Sequence, residues 1–352
     1  MVFKNALLKD TDACIVVSKT NRFYLCGYTT SNGILVLTKK SGYFLTDFRY
    51  KEEALKILKP EGFTVLEYKA EELKQILNDI LRSEKVKSIG IEEDMLYPAY
   101  KKMTENLEGF DVKNISTILN EMRSVKTEKE IETIKYAQSI NDKTLRQIKS
   151  IIKPGISERD LSIELKYRLL KNGADDFSFE PVVAFGKNTS KPHCLLSNKK
   201  LKTGEPIMLD FGAKYNGYCS DMTRMLCLGK PSGEVTACYE LVLKAQTAAL
   251  EYIKNKVPVR ETDLVVRGIF AAENCETNFG HGLGHGVGLD IHESPNVKNI
   301  SEDMFKTGMV VTVEPGLYFA DKFGIRVEDL VIVTDSGIEN LTKSSKELII
   351  DN

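Results

Sequence analysis

No stretch of the 352 residues comes near the roughly 20 consecutive apolar residues that a membrane span needs, so no membrane role is expected. Neither sign of charge dominates. Against 50 aspartates and glutamates stand 49 lysines and arginines, a net charge of −1, and this gives no whole-chain basic footprint for nucleic acid. The seven cysteines contain no CxxC pair. In a chain of this size that predicts reduced thiols and a cytoplasmic location. The start, MVFKNALLKDTDACIVV, lacks a basic n-region, a long apolar stretch and a small-residue cleavage site, so no secretory signal is expected. Tryptophan is absent and histidine is scarce, with four in the chain. What is present is ordinary for a folded protein: 42 % hydrophobic and 28 % charged residues, which excludes a disordered scaffold. The length suits two domains.

The first third alternates between strand and helix signals. CIVVS, ILVLT and GYFLT are short apolar, β-branched or aromatic runs, with turns at Asn32-Gly33 and Ser41-Gly42. Arg49 to Leu58 and Glu71 to Leu81 place apolar residues three and four apart, as helices do. Val86 to Ile91 then reads as a strand and Tyr97 to Asn106 as a helix, which together predict an α/β domain over residues 1–120. Thr127 followed by Glu130 is a capping box that opens a long helix to about Ser150 and a second domain over residues 121–352. Ser157 caps another helix, which ends at Asn172-Gly173. Pro206 to Phe211, Gly217 to Leu228, Met309 to Val313 and Ile325 to Val333 read as strands, and Ala237 to Lys254 and Thr262 to Ala272 as helices.

The chemistry sits in the second part. In MLDFGAKYNGYCSDMTR, a hairpin turning around Tyr215-Asn216 sets Asp210 opposite Asp221, about 5 Å apart at Cβ. Two carboxylates that close call for a cation, although two exposed strand-end aspartates would read the same way. HGLGHGVGLDIHE carries His281, His285 and His292, three of the four histidines, at spacings that suit ligands or proton handlers. It has no GK[ST] and no fitting GxGxxG, which argues against a phosphate loop. Glu314 ends the apolar run VVTV, and Glu328 follows Arg326 in GIRVEDLVIV. Either glutamate alone also fits a salt bridge at a strand end. Together, Asp210, Asp221, His285, Glu314 and Glu328 offer four carboxylates and one imidazole, enough negative charge for two divalent cations. Such oxygen-rich ligation suits Mn²⁺, Co²⁺, Fe²⁺ or Zn²⁺. A metal pair of this kind supplies hydrolase chemistry.

On these motifs the chain resembles the pita-bread metallopeptidases: aminopeptidase P, prolidase, methionine aminopeptidase and the metal-free creatinase. LDFGAKYNGYCSDMTR, GHGLGHGVGLDIHESP, VTVEPGLY and GIRVEDLVIV are similar to the family's four ligand segments. YLCGYTTSNGILVLT and FLTDFRYKEEA resemble its creatinase/prolidase N-terminal domain. The resemblance implies that α/β domain followed by an α+β pita-bread catalytic domain. It implies that Asp210 holds one metal, that Asp221 and Glu328 bridge two, and that His285 and Glu314 hold the other. Mn²⁺ is the expected ion. Glu314 is further implied as a catalytic proton carrier, His193 and His292 as catalytic and substrate-side histidines, and His281 and Arg326 as substrate-site residues of the proline-specific branch. The implied substrate is a proline-containing peptide, and a homodimer is expected. The compact length tips this reading to an Xaa-Pro aminopeptidase, with an Xaa-Pro dipeptidase as the alternative. A methionine aminopeptidase and a non-catalytic relative fit less well, the first because of the N-terminal domain, the second because no ligand is missing.

Overall fold

The apolar runs at the start of the chain form the middle of a six-stranded sheet, in the order Thr64–Glu67, Gly42–Thr46, Ile34–Thr38, Ala13–Val16, Ser88–Ile91, Asp111–Asn114. The two pairings of Ile34–Thr38, with Gly42–Thr46 and with Ala13–Val16, are antiparallel and the other three are parallel. Successive residues point to opposite faces. Ala13, Ile15, Ile34, Val36 and Leu45 pack with Leu77, Ile80 and Leu81 of helix Leu73–Ser83, while Cys14, Val16, Leu35, Leu37 and Phe44 pack with Ala54 and Leu58 of helix Phe48–Leu58. Burial on both faces is why these strands read as unbroken apolar runs. The edge strands Thr64–Glu67 and Asp111–Asn114 are half-exposed and carry too few apolar residues to show a pattern in sequence. Helix Lys19–Cys26 also escapes the periodicity. Its ends are set by Ser18, which accepts from the Asn21 N–H, and by Gly27 at φ 71°.

This sheet and its helices make up the first of two units in the computed structural model, Met1–Arg123; the second is Ser124–Asn352. Residues 4–350 are described. Among them no helix is long and apolar enough to cross a membrane, and no disulfide joins the cysteines.

The second unit is α+β. Helix Glu128–Lys149 starts at the capping box: Thr127 accepts from the Glu130 N–H and the Glu130 carboxylate from the Thr127 N–H. Helix Glu158–Lys171 follows, capped by Ser157. A four-stranded sheet runs Ile349–Ile350, Met222–Leu228, Pro206–Phe211, Val182–Phe185. A five-stranded sheet runs Glu293–Val297, Gly284–Gly286, Val310–Val313, Asp329–Val333, Ile338–Asn340. Helices Gly233–Tyr252 and Val259–Ala272 lie between them in sequence. Alternation sorts the four-stranded sheet into two cores. Ile207, Leu209 and Phe211 join Ile148, Leu165 and Leu169 of the first helix pair, whereas Met208, Met225 and Cys227 join Val242, Ala245 and Ala249 of helix Gly233–Tyr252. Asp210 and Thr223 share the parity of Met208 and Met225, so they face the second half of the unit.

The hairpin register differs from the one expected. Asn216 and Gly217, at φ 46° and 83°, are its two turn residues. Tyr215 therefore pairs with Tyr218, and Asp210 with Thr223 rather than with Asp221. A two-residue turn needs its positive-φ residues at both central positions, and that requirement moves the turn one residue along. Asp221 becomes a diagonal neighbour of Asp210 on the same face. The runs expected as single strands, Gly217 to Leu228 and Ile325 to Val333, are each broken, at Ser220-Asp221 and at Val327-Glu328. Both breaks fall at a carboxylate.

Candidate metal centre

A cavity of about 730 Å³ opens in the second unit, and all four histidines line it together with Asp210, Asp221, Glu314, Arg326 and Glu328. The five residues named above as metal ligands therefore meet, although they come from four separate chain segments. One oxygen each of Asp221 and Glu328 and a ring nitrogen of His285 lie within 4.8 Å of one another. His285 Nε2 is 3.7 Å from Asp221 Oδ2 and 3.4 Å from Glu314 Oε1.

The glycine-rich segment is explained by crowding. A Cβ on Gly284 would lie 2.1 Å from the Thr312 carbonyl oxygen, and one on Gly286 would lie 2.3 Å from that of Ser294. Only bare backbone fits between Glu293–Val297 and Val310–Val313, and it carries His285 to the cavity floor. His285 Nδ1 sits 3.1 Å from the Gly286 carbonyl, which can only accept, so Nδ1 holds the proton. Burial, and then the nearby His292, hold the ring's pKa down to about 4, so the imidazole is neutral. Its bare Nε2 lone pair consequently faces two carboxylate oxygens.

That arrangement is unfavourable by itself, and the carboxylates add to the cost. Burial raises Asp221 well above the usual carboxylate range, and Glu328 beside it raises it further. Burial likewise raises Glu328, helped by Glu314, and pushes Glu314 up to about 7. Asp210 Oδ1, Asp221 Oδ1 and Glu328 Oε1 are buried with no hydrogen-bond partner. Buried anions with orphaned oxygens, and a neutral imidazole aimed at them, fit divalent cations held between them.

Other side chains hold these donors in place. Arg326 is buried and ion-paired to Asp210. Its Nε donates to Thr223 Oγ1 at 3.1 Å, and Thr223 in turn donates to Glu328 Oε2 at 2.6 Å. Thr312 Oγ1 accepts from the His285 N–H at 3.0 Å and donates to Glu314 Oε1 at 3.3 Å. His281 also carries its proton on Nδ1, 2.7 Å from the Gly282 carbonyl, so its Nε2 accepts from the Tyr318 hydroxyl at 3.0 Å. Arg326 donates to that hydroxyl at 2.8 Å. Thr223, Thr312 and Tyr318 escaped the sequence reading because threonine and tyrosine are ordinary strand residues. Only the register reveals Thr223, opposite Asp210. His292 and His193 lie on the exposed side of the cavity, His292 with its ring 4.4 Å from that of His285.

The chain belongs to metallopeptidase family M24, whose model matches residues 132–335, and residues 8–125 match the creatinase/prolidase N-terminal domain. It is thus a metal-dependent hydrolase with the pita-bread fold. It is 32 % identical over 340 residues to the Xaa-Pro dipeptidase of Pyrococcus horikoshii, covering 96 % of this chain and 94 % of that one. Among solved structures it is similar to the Xaa-Pro dipeptidase from Bacillus anthracis, at 35 % identity and a TM-score of 0.93, over 99 % of this chain and 98 % of that one. It is also similar to the X-Pro aminopeptidase from Thermotoga maritima, at 31 % identity and a TM-score of 0.89, over 97 % and 98 %.

Proposed function

We propose that the chain is an Xaa-Pro dipeptidase that uses two divalent ions, with Mn²⁺ the first to test. The convergence of four carboxylates and one neutral imidazole on one cavity floor carries the reading, and the dipeptidase relatives support its substrate class. The expected aminopeptidase gives way to its alternative here, because length carries less weight than full-length relatives do. The aminopeptidase stays as the second reading on the likeness to the Thermotoga maritima structure.

Asp210, Asp221, His285, Glu314 and Glu328 would hold the ions. When bound, such a pair draws a nucleophile from water at neutral pH and polarises the scissile carbonyl. The X-Pro bond is a tertiary amide whose nitrogen bears no hydrogen, so that nitrogen must gain a proton to leave. Glu314, half-buried in the cavity lining and with its proton affinity raised, would take a proton from the attacking water and pass it to that nitrogen. His292, on the open side of the cavity, would donate to the oxyanion, and His193 to the substrate backbone. Phe179, Pro192 and Ile291 give the pyrrolidine ring an apolar wall. Of the lysine and the arginine in the lining, Arg326 is committed to Asp210 and Tyr318. Lys298 is thus the cation available for the terminal carboxylate that a dipeptide presents and that a longer peptide moves away.

The test is hydrolysis of an X-Pro dipeptide and of an X-Pro-Y tripeptide after Mn²⁺ loading, with a chelator control. Metal-dependent turnover of the dipeptide, with a KM that rises in Lys298→Ala, is expected. Turnover of the tripeptide alone makes the chain an aminopeptidase, and turnover of neither overturns the reading.

A further inference from the structure

Each half of the second unit carries an unexposed carboxamide bonded to residues beside the carboxylates. Gln246, in helix Gly233–Tyr252, has no exposed surface, and its Nε2 donates to the carbonyls of Val313 and Val327, both at 3.1 Å. Those residues immediately precede Glu314 and Glu328. Carbonyls only accept, so the nitrogen end of the carboxamide must sit there, and its oxygen is left buried without a partner. An apolar side chain of the same size would fill this space and bury no orphaned oxygen. The packing therefore does not require glutamine, whereas the two donated bonds do.

Asn141, in helix Glu128–Lys149, plays the corresponding part in the first half. It too is unexposed. Its Oδ1 accepts from the Ala213 N–H at 2.9 Å and its Nδ2 donates to Ser220 Oγ at 2.9 Å. Ser220 Oγ also accepts from the Ala213 N–H at 3.0 Å and donates to the Ala213 carbonyl at 2.9 Å. Ser220 immediately precedes Asp221, and Ala213 lies just beyond the strand that carries Asp210. The asparagine thus closes the neck of the hairpin where the ladder breaks.

The geometry points to Gln246 and Asn141 as positioning residues, one for each half. Gln246 sets the spacing of Glu314 and Glu328, and Asn141 that of Asp210 and Asp221. A ladder holds strand ends by pairing them, but Glu314, Glu328 and Asp221 stand outside the ladders. Glu314 and Glu328 each keep one backbone bond, from their N–H groups to the carbonyls of Leu283 at 2.8 Å and Thr223 at 3.2 Å. A carboxamide reaching down from a helix adds a second tie at the neighbouring residue, and a divalent ion tolerates little drift in the oxygens around it. This inference rests on the proposal that these carboxylates hold the two ions. Neither carboxamide lines the cavity, so neither touches substrate.

The experiment titrates Mn²⁺ by calorimetry into the wild type, Gln246→Met and Asn141→Leu, with melting curves of the metal-free proteins and kinetics on an X-Pro dipeptide. Methionine and leucine fill the volume and remove the ties. Each variant is expected to bind at least one ion tenfold or more weakly. Each should lose kcat while KM stays within twofold. Asn141→Asp keeps an acceptor for the Ala213 N–H and is expected to recover part of the affinity. If Gln246→Met does not fold, Gln246→Asn, one methylene too short to reach both carbonyls, takes its place with the same expectation. Wild-type ion affinity in the folded variants overturns the inference, whatever their melting temperatures. A wild type that binds no ion overturns the ligand reading itself, a separate failure.

Discussion

At the scale of single residues, the site divides into the proposed donors and the side chains that bond to them. The proposed donors stand out in the sequence because each is a charged or imidazole group set against apolar or glycine-rich backbone, where a lone charge is costly. The others do not, since Thr223, Thr312 and Tyr318 gain their meaning only from what lies across from them. Removing a donor should therefore differ from removing a group that faces only substrate. Asp221→Ala and Glu328→Ala are each expected to lose ion binding and turnover together. The loss should exceed the ~10- to 100-fold typical of groups that merely orient a metal ligand. His292→Ala is expected to keep its ions and lose kcat by about 10²- to 10³-fold, as removal of an oxyanion donor does. Ion content by elemental analysis beside steady-state rates separates the two. Loss of ions in His292→Ala would exchange the roles given to His285 and His292.

At the scale of elements, long helices and doubly buried strands were plain in the sequence, and the register of one hairpin was not. The placement of Asn216-Gly217 in the turn moved every pair by a step, yet Asp210 and Asp221 still share a face, because a diagonal neighbour keeps the parity of the residue it replaces. The edge strands of the first sheet left no pattern, since one exposed side and few apolar residues give period-2 alternation nothing to show. The glycine segment owes its sequence to the strands that press on it. Gly284→Ala puts a Cβ 2.1 Å from a backbone oxygen that cannot swing aside. Overpacking of this kind costs about 1–3 kcal/mol, and here it also displaces His285. The expected result is a lower midpoint in urea together with weakened Mn²⁺ binding by calorimetry. Thr127→Ala supplies the contrast. It removes the capping box of helix Glu128–Lys149, at a cost of about 1 kcal/mol. Thr127 does not line the cavity, so ion affinity should be unchanged while the urea midpoint falls, and Thr127→Ser should restore it.

At the scale of the whole molecule, the proposed metal centre would couple folding to both ions and protons. Without metal, the second unit must bury several carboxylates in one place; Arg326 is paired to Asp210, and protons are the means of neutralising the others. Glu314 has a folded pKa of about 7 against an ordinary 4.5. Burial raises Asp221 and Glu328 in the same direction. A carboxylate whose folded pKa is raised takes up its proton more readily in the native state. It therefore adds stability as pH falls from about 7 toward the ordinary value, and removes it as pH rises through 7. His281 and His285 act the other way: held down to about 4 by burial, they bind protons more readily when unfolded, so they subtract stability as pH falls through about 6.5. Both rings are neutral in the folded protein from pH 8 to 6.5, so their effect is common to the loaded and chelated forms and the difference between those forms reads the carboxylates. Ions that bind only the native state stabilise it by mass action, about 2.7 kcal/mol at a hundredfold excess over Kd. Protons compete with them for the same oxygens. The melting temperature of the Mn²⁺-loaded protein should therefore exceed that of the chelated protein by most near pH 8, and the gap should narrow toward pH 6.5 as the metal-free form gains stability. A gap that stayed constant or widened on acidification would mean that these carboxylates do not share their charge with a cation in the folded protein.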